Sequence, residues 1–455
     1  MIHDDALALI AVLQEQVARQ EAANQALREQ VATLEKRIAE LEAIKTPPPT
    51  WAKPNRSRRA RPAGLTRRAR APEHNRGRRR STPTRVESHA LERCPDCAYA
   101  LRGGMLARRR EVIELPPTPV EVVEHRLIKR FCPHCRAWKT PRNVCAGRTI
   151  GQSRIGVRLA SLIGTLRTVH RLPLAQIQHL LETLYGLHLS VGGLQDLLQR
   201  VRAALAPARA EVEVQARASP SHHVDETGWR ENGQNGYLWV QATAGPTPTR
   251  LFTYDPSRAG TVADRLLEGY TGVVVSDGYA AYDHLALTKQ RCWAHILRTA
   301  HKLTEAHPAD ALLRQWVGAL KTLYGYACAV AQQEGVTQRQ RAAAAGDAER
   351  RMRLLTRCYR TQEAHPAQAL ATWLHQHEDE LFTFVRTPGV EGTNNQAERA
   401  IRPFVISRKI SGGSRSPQGS AIRCDLASVF LTWTARGLNP LTTCLATLQT
   451  PAPQL

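Results

Sequence analysis

The sequence predicts a multidomain α+β protein. Its parts, in order, are an extended helix, a cysteine-rich segment, a helical segment and an α/β core interrupted by a helical insertion. Three observations carry that prediction. An apolar heptad runs through the first forty residues, two Cys-x-x-Cys pairs follow, and residues 219–300 alternate short apolar strands with helical stretches.

Charge narrows the partners. The 455 residues hold 63 Lys+Arg against 40 Asp+Glu, a formal net of +23. Such a surplus points to a polyanion, either nucleic acid or an anionic membrane surface. Apolar residues make up 42%, enough for packed cores. No apolar run approaches the ~18–20 residues that span a bilayer. Asp4 and Asp5 stand where a secretory signal carries basic residues, and no lipidation motif is present. The expectation is a soluble, intracellular protein that binds a polyanion and no membrane.

The N-terminal segment, residues 1–46, reads as a coiled-coil dimerisation helix. Ile10, Val17, Asn24, Val31 and Ile38 take heptad position a, and Leu13, Gln20, Leu27, Leu34 and Leu41 take position d. β-Branched residues at a with Leu at d favour a parallel two-stranded coil, and a central Asn at a fixes register at some cost in stability. The partner is a second copy of the chain, paired through residues 10–41. Arg37 at g faces Glu42 at e of that copy, and Pro47-Pro48-Pro49 ends the helix.

Residues 47–90 form a basic Arg/Pro-rich linker without apolar periodicity. Residues 51–93 hold 14 basic and 3 acidic side chains, a net of +11, about half of the whole surplus. Such a segment cannot bury a core, and its arginine density suits phosphate contact.

Residues 91–150 carry Cys94-Pro-Asp-Cys97 and Cys132-Pro-His-Cys135. Two such knuckles complete a tetrahedral thiolate site for structural zinc. Val112, Ile113, Val120, Val122 and Val123 lie between them, broken by Pro116-Pro117, and read as a hairpin carrying the second knuckle, as in a zinc ribbon. His134 offers a further ligand, but four cysteines fill the shell. The other six cysteines are scattered and read as small buried hydrophobes.

Residues 151–215 read as a helical, helix-turn-helix-like segment with three helices. They run from about Arg154 to His170, from Pro173 to Gly186, and from a Ser190 cap to about Leu205. A small bundle bridging domains fits equally well, and Gly192-Gly193 weakens the third helix as a DNA-reading head.

Residues 216–300 are the first part of the core. Ser221–Asp225, Tyr237–Thr243 and Arg250–Tyr254 read as strands, Thr261–Glu268 as a helix, Val273–Val275 as a strand buried on both faces, and Gln290–Trp293 as a fifth strand. A helix follows from about Ala294. Residues 301–390 are a helical insertion. Residues 391–425 return to the core on a helix capped by Asn394 or Asn395, and residues 426–455 are a C-terminal tail.

The order β-β-β-α-β-α-β is that of ribonuclease H-like sheets, in which the ends of strands one and four are adjacent. Asp225 closes the first strand, Asp277 the fourth, and Glu398 sits on a helix that packs over both ends. Three clustered carboxylates need cations, and oxygen ligation suits two Mg²⁺ or Mn²⁺ ions. Such a pair activates an attacking hydroxyl and stabilises the leaving oxygen at a phosphodiester. Glu226 and Asp283 read as loop caps instead.

Several strings carry a family resemblance. They are Val-Asp-Glu-Thr-Gly-Trp-Arg (224–230), Ser-Asp-Gly-Tyr-Ala-Ala-Tyr (276–282), Arg-Cys-Trp-Ala-His-Ile-Leu-Arg (291–298) and Asn-Asn-Gln-Ala-Glu-Arg-Ala-Ile-Arg-Pro (394–403). Arg408-Lys409, Gly412-Gly413 and Thr434-Ala-Arg-Gly-Leu-Asn-Pro440 follow. With these the chain resembles the DDE transposases of bacterial insertion sequences, specifically the insertion sequence 66 family, over nearly its whole length.

The resemblance implies Asp225, Asp277 and Glu398 as the metal-binding catalytic triad, and a helical insertion between the last two. Cys292-x-x-His295 could be read as a metal pair; the resemblance makes His295 instead a further candidate catalytic residue, a support of the site close to the carboxylates or the DNA. Arg230, Arg399, Arg402, Arg408 and Lys409 are candidate contacts to double-stranded DNA at element ends and target. Trp229 and Tyr279 are candidates for stacking on an unpaired base. The implied activity is metal-dependent cleavage at element ends and strand transfer into target DNA, by a cytoplasmic bacterial enzyme that joins the nucleoid when DNA-bound. Accessory transposition proteins are expected partners. The rivals are a domesticated, non-catalytic zinc-and-zipper regulator and a nuclease of the same fold that cuts without joining.

Overall fold

The computed structural model describes residue 18 and residues 20–36, 82–110, 112–113 and 120–450. The chain divides into two units, Met1–Leu115 and Pro116–Leu455.

In the first unit, residues 20–36 form helix α1. Its heptad positions Leu27, Val31 and Leu34 are 57%, 52% and 62% exposed, so the stripe is unburied in the single chain. Ile10, Leu13, Val17, Arg37, Ile38, Leu41 and Glu42 lie outside the described residues, as does most of the basic linker, 47–81. Further on, the Cys94 knuckle is a tight turn. The Ala98 N–H donates to the Cys94 carbonyl at 2.8 Å, and Arg93 bridges to Ala100.

The second unit begins with a hairpin of β1 (Arg130–Cys132) and β2 (Ala137–Lys139), with the Cys132–Cys135 knuckle in its turn. The sequence placed strands earlier, among the valines. Residues 112–113 and 120–129 instead carry no strand, and Val112, Ile113 and Val122 are more than 70% exposed. An apolar run becomes a strand only when a neighbour completes its ladder, and none does so here among the described residues.

Four helices follow: α2 (Val157–Thr168), α3 (Leu174–Tyr185), α4 (Val191–Ala204) and α5 (Ala206–Arg217). The first three were expected. Gly186 ends α3 in the left-handed conformation, and the Ser190 hydroxyl accepts from the Gly193 N–H at the start of α4. The fourth was missed, because Ala206 and Pro207 read as a break when Pro207 is a first-turn residue.

The sheet comprises β3 (Ser221–Glu231), β4 (Gln234–Ala242), β5 (Arg250–Asp255), β6 (Val273–Ser276) and β7 (Lys289–Arg291), in the order β5-β4-β3-β6-β7. The first three strands are antiparallel, and β6 and β7 run parallel to β3. Helix α6 (Gly260–Leu266) connects β5 to β6.

One expectation is corrected. Asp225 does not close its strand: β3 continues six residues further and turns through Asn232-Gly233, both at positive φ, into β4. Asn-Gly suits the two-residue hairpin turn that matches strand twist. Pairing with β6, however, stops at His223–Val275. Asp225 and Asp277 are each two residues beyond that last pair, so they still stand level at the end of the parallel ladder.

The insertion comprises α7 (Trp293–Ala306), α8 (Ala311–Gln332), α9 (Gln338–Arg360), α10 (Gln368–Gln376) and the short α11 (Thr383–Arg386). Its core, with Trp293, Trp316, Leu320 and Phe382, is continuous with Val275 of β6. Then come α12 (Asn395–Ser411), α13 (Pro417–Ala435) and α14 (Pro440–Gln449).

Helices α12 and α13 cover one sheet face, where Phe404 and Ala427 meet Trp229, Leu238 and Phe252. Helix α6 covers the other, with Val262 and Leu267 against Trp239 and Val274. Helix α13 runs unbroken across residue 425. Phe430 and Trp433, with Leu448 of α14, share one core with Ile163, Leu181 and Leu198 of the helical segment. Among the described residues, no helix is long and apolar enough to cross a membrane.

Candidate active site

Three carboxylates from three elements share one electrostatic neighbourhood. Asp225 projects from mid-β3, Asp277 follows β6, and Glu398 sits in the first turn of α12. Burial pushes the Asp225 carboxyl up to about 7, and the charges of Glu226, Asp277 and Glu398 add to the rise. The Glu226 N–H, donating to Asp225 Oδ1 at 2.9 Å, offsets only part of it. Asp277 Oδ1 accepts from the Tyr279 N–H at 2.9 Å, which shapes the turn after β6.

The surrounding acids are treated differently. Glu226 receives Arg258 and the Tyr282 hydroxyl, the latter at 2.7 Å. Asp255 pairs with Arg265, and Asp283 and Glu380 both pair with Arg291. Among the described residues, no arginine pairs with Asp225, Asp277 or Glu398. Asp225, Asp277 and Glu398 thus lack the arginine partners that Glu226, Asp255, Asp283 and Glu380 have.

A second donor group overlaps the first. Cys292 Sγ, a His295 ring nitrogen and a Glu398 oxygen lie within 4.8 Å of one another, a group able to hold a metal ion. His295 Nε2 is 3.6 Å from Glu398 Oε1, so the imidazole faces the carboxylate. Glu398 Oε1 and His295 Nδ1 are buried without a hydrogen-bond partner. Burial raises the Cys292 thiol, while backbone N–H groups of Asn394, His295 and Ala294 pull it down.

Two positioning side chains escaped the sequence reading. Arg291 is fully buried, and its Nη1 donates to the Asp277 carbonyl at 3.1 Å while its other nitrogens hold Asp283 and Glu380. Asn394 sits at the N-cap of α12, yet its side chain caps nothing. Its Nδ2 donates to the Val224 carbonyl at 2.7 Å, and its N–H donates to Cys292 Sγ at 3.1 Å. The start of α12 is thereby tied to the residue before Asp225 and to the residue before α7.

The other candidates separate. Arg230, Arg399, Arg402 and Lys409 are exposed. Arg408 donates to Thr227 Oγ1 and the Gly228 carbonyl, so it braces β3. Trp229 is 2% exposed, packs edge-on against Phe404 and donates to Ser414 Oγ; it is a core residue, not a base-stacking platform. Tyr279 lies under the Arg258 guanidinium at 3.8 Å.

Comparison with known proteins places the chain in a family. The model of the transposase IS66 family matches residues 152–422, well over half of the chain. The chain belongs to the transposase IS66 family. A relative from Sinorhizobium fredii (strain NBRC 101917 / NGR234), the uncharacterized protein y4qI, is 25% identical over 227 residues. That match covers 45% of this chain and 42% of the relative, so it spans less than half of either protein. The span matched to the IS66 transposase family includes Asp225, Asp277, His295 and Glu398.

The thiols form two separate pairs, one in each unit. Backbone N–H groups of Asp96 and Cys97 lower the Cys94 thiol, and the N–H of Cys135 does the same for Cys132. Each turn therefore favours the thiolate that a metal requires.

Proposed function

We propose that this transposase-family chain is a DDE-type enzyme with a ribonuclease H-like core, cleaving insertion-element ends and transferring the freed strand into target DNA. The observation that carries the reading is the trio of Asp225, Asp277 and Glu398, without arginine partners, set against Glu226, Asp255, Asp283 and Glu380, which have them.

The donor set fits hard divalent cations: oxygen ligands, mutual repulsion and a buried, unpartnered Glu398 oxygen. When bound, two Mg²⁺ or Mn²⁺ ions supply the Lewis acidity that activates an attacking hydroxyl and stabilises the leaving oxygen. The chain's own residues do the positioning. Arg291 fixes the backbone at Asp277. Asn394 holds the start of α12, hence Glu398, against β3. His295 faces Glu398 and limits its rotation, so we assign it a positioning role. Exposed Arg230, Arg399, Arg402 and Lys409 would meet phosphates, with Arg408 as the brace beneath them.

The remaining assignments complete the assembly. Cys94, Cys97, Cys132 and Cys135 would hold a structural zinc. The heptad through residues 10–41 would pair two copies, so that one assembly holds two element ends. The exposed heptad side chains of α1 support that pairing. The domain limits would be those read from the sequence, except that helix α13 carries the core past residue 425; accessory transposition proteins would be partners, and the setting would be the bacterial cytoplasm.

The test is a strand-transfer assay with element-end duplex and Mg²⁺. Wild-type protein is expected to give joined product, and Asp225→Asn and Glu398→Gln to give none above background. Full activity in either variant refutes the triad. Cleaved but unjoined ends with wild type would indicate a nuclease, and DNA binding without cleavage a regulator.

A further inference from the structure

A cavity of about 370 Å³ lies between the helical segment and the turn that joins α12 to α13. Arg167, Arg171, Arg415 and Arg423 are among its lining residues. Among the described residues, none of the four forms an ion pair with a carboxylate. Arg258, Arg265 and Arg291 around the sheet, by contrast, each have such a partner.

Arg423 is the deepest anomaly. Its Nε and Nη1 are buried and have no hydrogen-bond partner. Nη2 donates to Ser407 Oγ, and the guanidinium lies against the rings of Trp229 and Phe404, at 5.3 and 5.9 Å. Arg167 donates one N–H to the Leu172 carbonyl at 2.9 Å. Burial pushes Arg423 down to about 9, with the Arg167 charge adding to the shift, and Arg167 down to about 10. Both remain cations at neutral pH. Two half-buried like charges without a counter-charge are costly, and an anion between them lowers the cost.

Helix α13 adds a third cationic element. It is 19 residues long and begins at the cavity wall, where Ser416, Gln418 and Gly419 are lining residues. The Ser416 hydroxyl takes the Gly419 N–H at 3.1 Å, and Pro417 has none to offer. The Gln418 N–H is left without an intrahelical acceptor, at the positive end of the helix dipole.

We propose that this cavity is a phosphate-binding pocket that holds a backbone phosphate of bound DNA. Forked guanidinium donors and a helix N-terminus both suit the oxygens of a phosphate. Helix α12 links the pocket to the carboxylates. Phe404, a lining residue, follows Glu398 by 6 positions on that helix. At about 1.5 Å per residue this is roughly 9 Å along the axis. That is about three base pairs of duplex at ~3.4 Å each. A phosphate seated here would fix the register of the strand against Glu398. The DNA assignment rests on the transposase reading; the phosphate assignment does not.

Two measurements on the full chain test it. In the first, inorganic phosphate is compared with chloride at equal ionic strength, and the melting temperature is read. Phosphate is expected to stabilise wild type, and Arg423→Met to lose that gain. Arg171→Gln combined with Arg415→Gln, which leaves the buried pair intact, is expected to reduce it; this variant carries the test if Arg423→Met does not fold. In the second, duplex affinity is followed against salt. The log–log slope is expected to fall by about 0.9, one phosphate, in either variant. If neither phosphate stabilisation nor slope changes, the pocket is refuted. If the phosphate gain is lost but the slope holds, the pocket takes free phosphate or a nucleotide, and the DNA assignment is overturned. If wild type binds no duplex, the transposase reading and the DNA assignment fall together, while the phosphate measurement still decides the pocket.

Discussion

Asp225 is held at about 7 because folding removes it from water and places three other carboxylates near it. A carboxyl raised above its unfolded value of 3.8 makes the native chain bind more protons than the unfolded chain between about pH 4 and 7. Its contribution to stability is therefore greatest in acid and is lost as pH rises through 7. The rise from 3.8 to about 7 sets an upper limit of about 4 kcal/mol. In chelator, the urea midpoint is expected to fall between about pH 5 and pH 8. Asp225→Asn, neutral throughout, is expected to flatten that dependence and to be the more stable protein at pH 8. Mg²⁺ is expected to restore the wild-type midpoint at pH 8. An unaltered pH profile in Asp225→Asn would locate the repulsion elsewhere. Arg291 shows the opposite solution: fully buried, it is balanced by Asp283 and Glu380, and it keeps Glu380 below the usual carboxylate range.

Helix α12 connects the site to the sheet, and its first residues do the connecting. The Asn394 side chain holds the Val224 carbonyl while its backbone holds Cys292. Asn394→Ala is expected to cost about 1–3 kcal/mol in urea unfolding, from the buried carbonyl left unpaired. Joined product should fall much further than that loss of stability requires, because Glu398 is carried on the same turn. Equal stability with unchanged strand transfer would show that α12 is fixed by its apolar face alone. This hydrogen bond also marks what the sequence could convey. Period-two apolar runs, Gly186 and Ser190 announced strands and helices because those signals are local. The full length of β3 was hidden because Asp225, Glu226 and Gly228 are weak strand residues, held in place by pairing with β4 and, at Gly228, by Arg408. Asn394 read as a helix cap because its position is local, whereas its acceptor lies 170 residues away. Arg291 stood in plain view beside Cys292, but no spacing rule links it to Glu380. That Asp225 and Asp277 stand level beyond the parallel ladder was legible because strand order predicts which strands pair.

Across the whole chain the surplus of +23 is unequally available. Within the described body many arginines are engaged by carboxylates: Arg202, Arg209, Arg258, Arg265, Arg291, Arg353 and Arg386 each have one. Such pairs are neutral to a distant phosphate. Residues 51–93 hold 14 basic against 3 acidic side chains, so little of their charge can be cancelled from within. All buried apolar clusters among the described residues, by contrast, are drawn from Val157 to Leu448. Charge for DNA and apolar area for folding therefore reside in different stretches of chain. Deleting residues 51–90 is expected to leave the melting temperature unchanged while lowering the salt slope of duplex binding. Every phosphate that the shortened chain no longer neutralises lowers that slope by about 0.9, so a drop of several is expected. If the slope holds, the segment only spans distance, and the charges that meet DNA are those around α12 and the α12–α13 corner. If the melting temperature falls with it, the segment packs on the body, and the separation of charge from core does not hold.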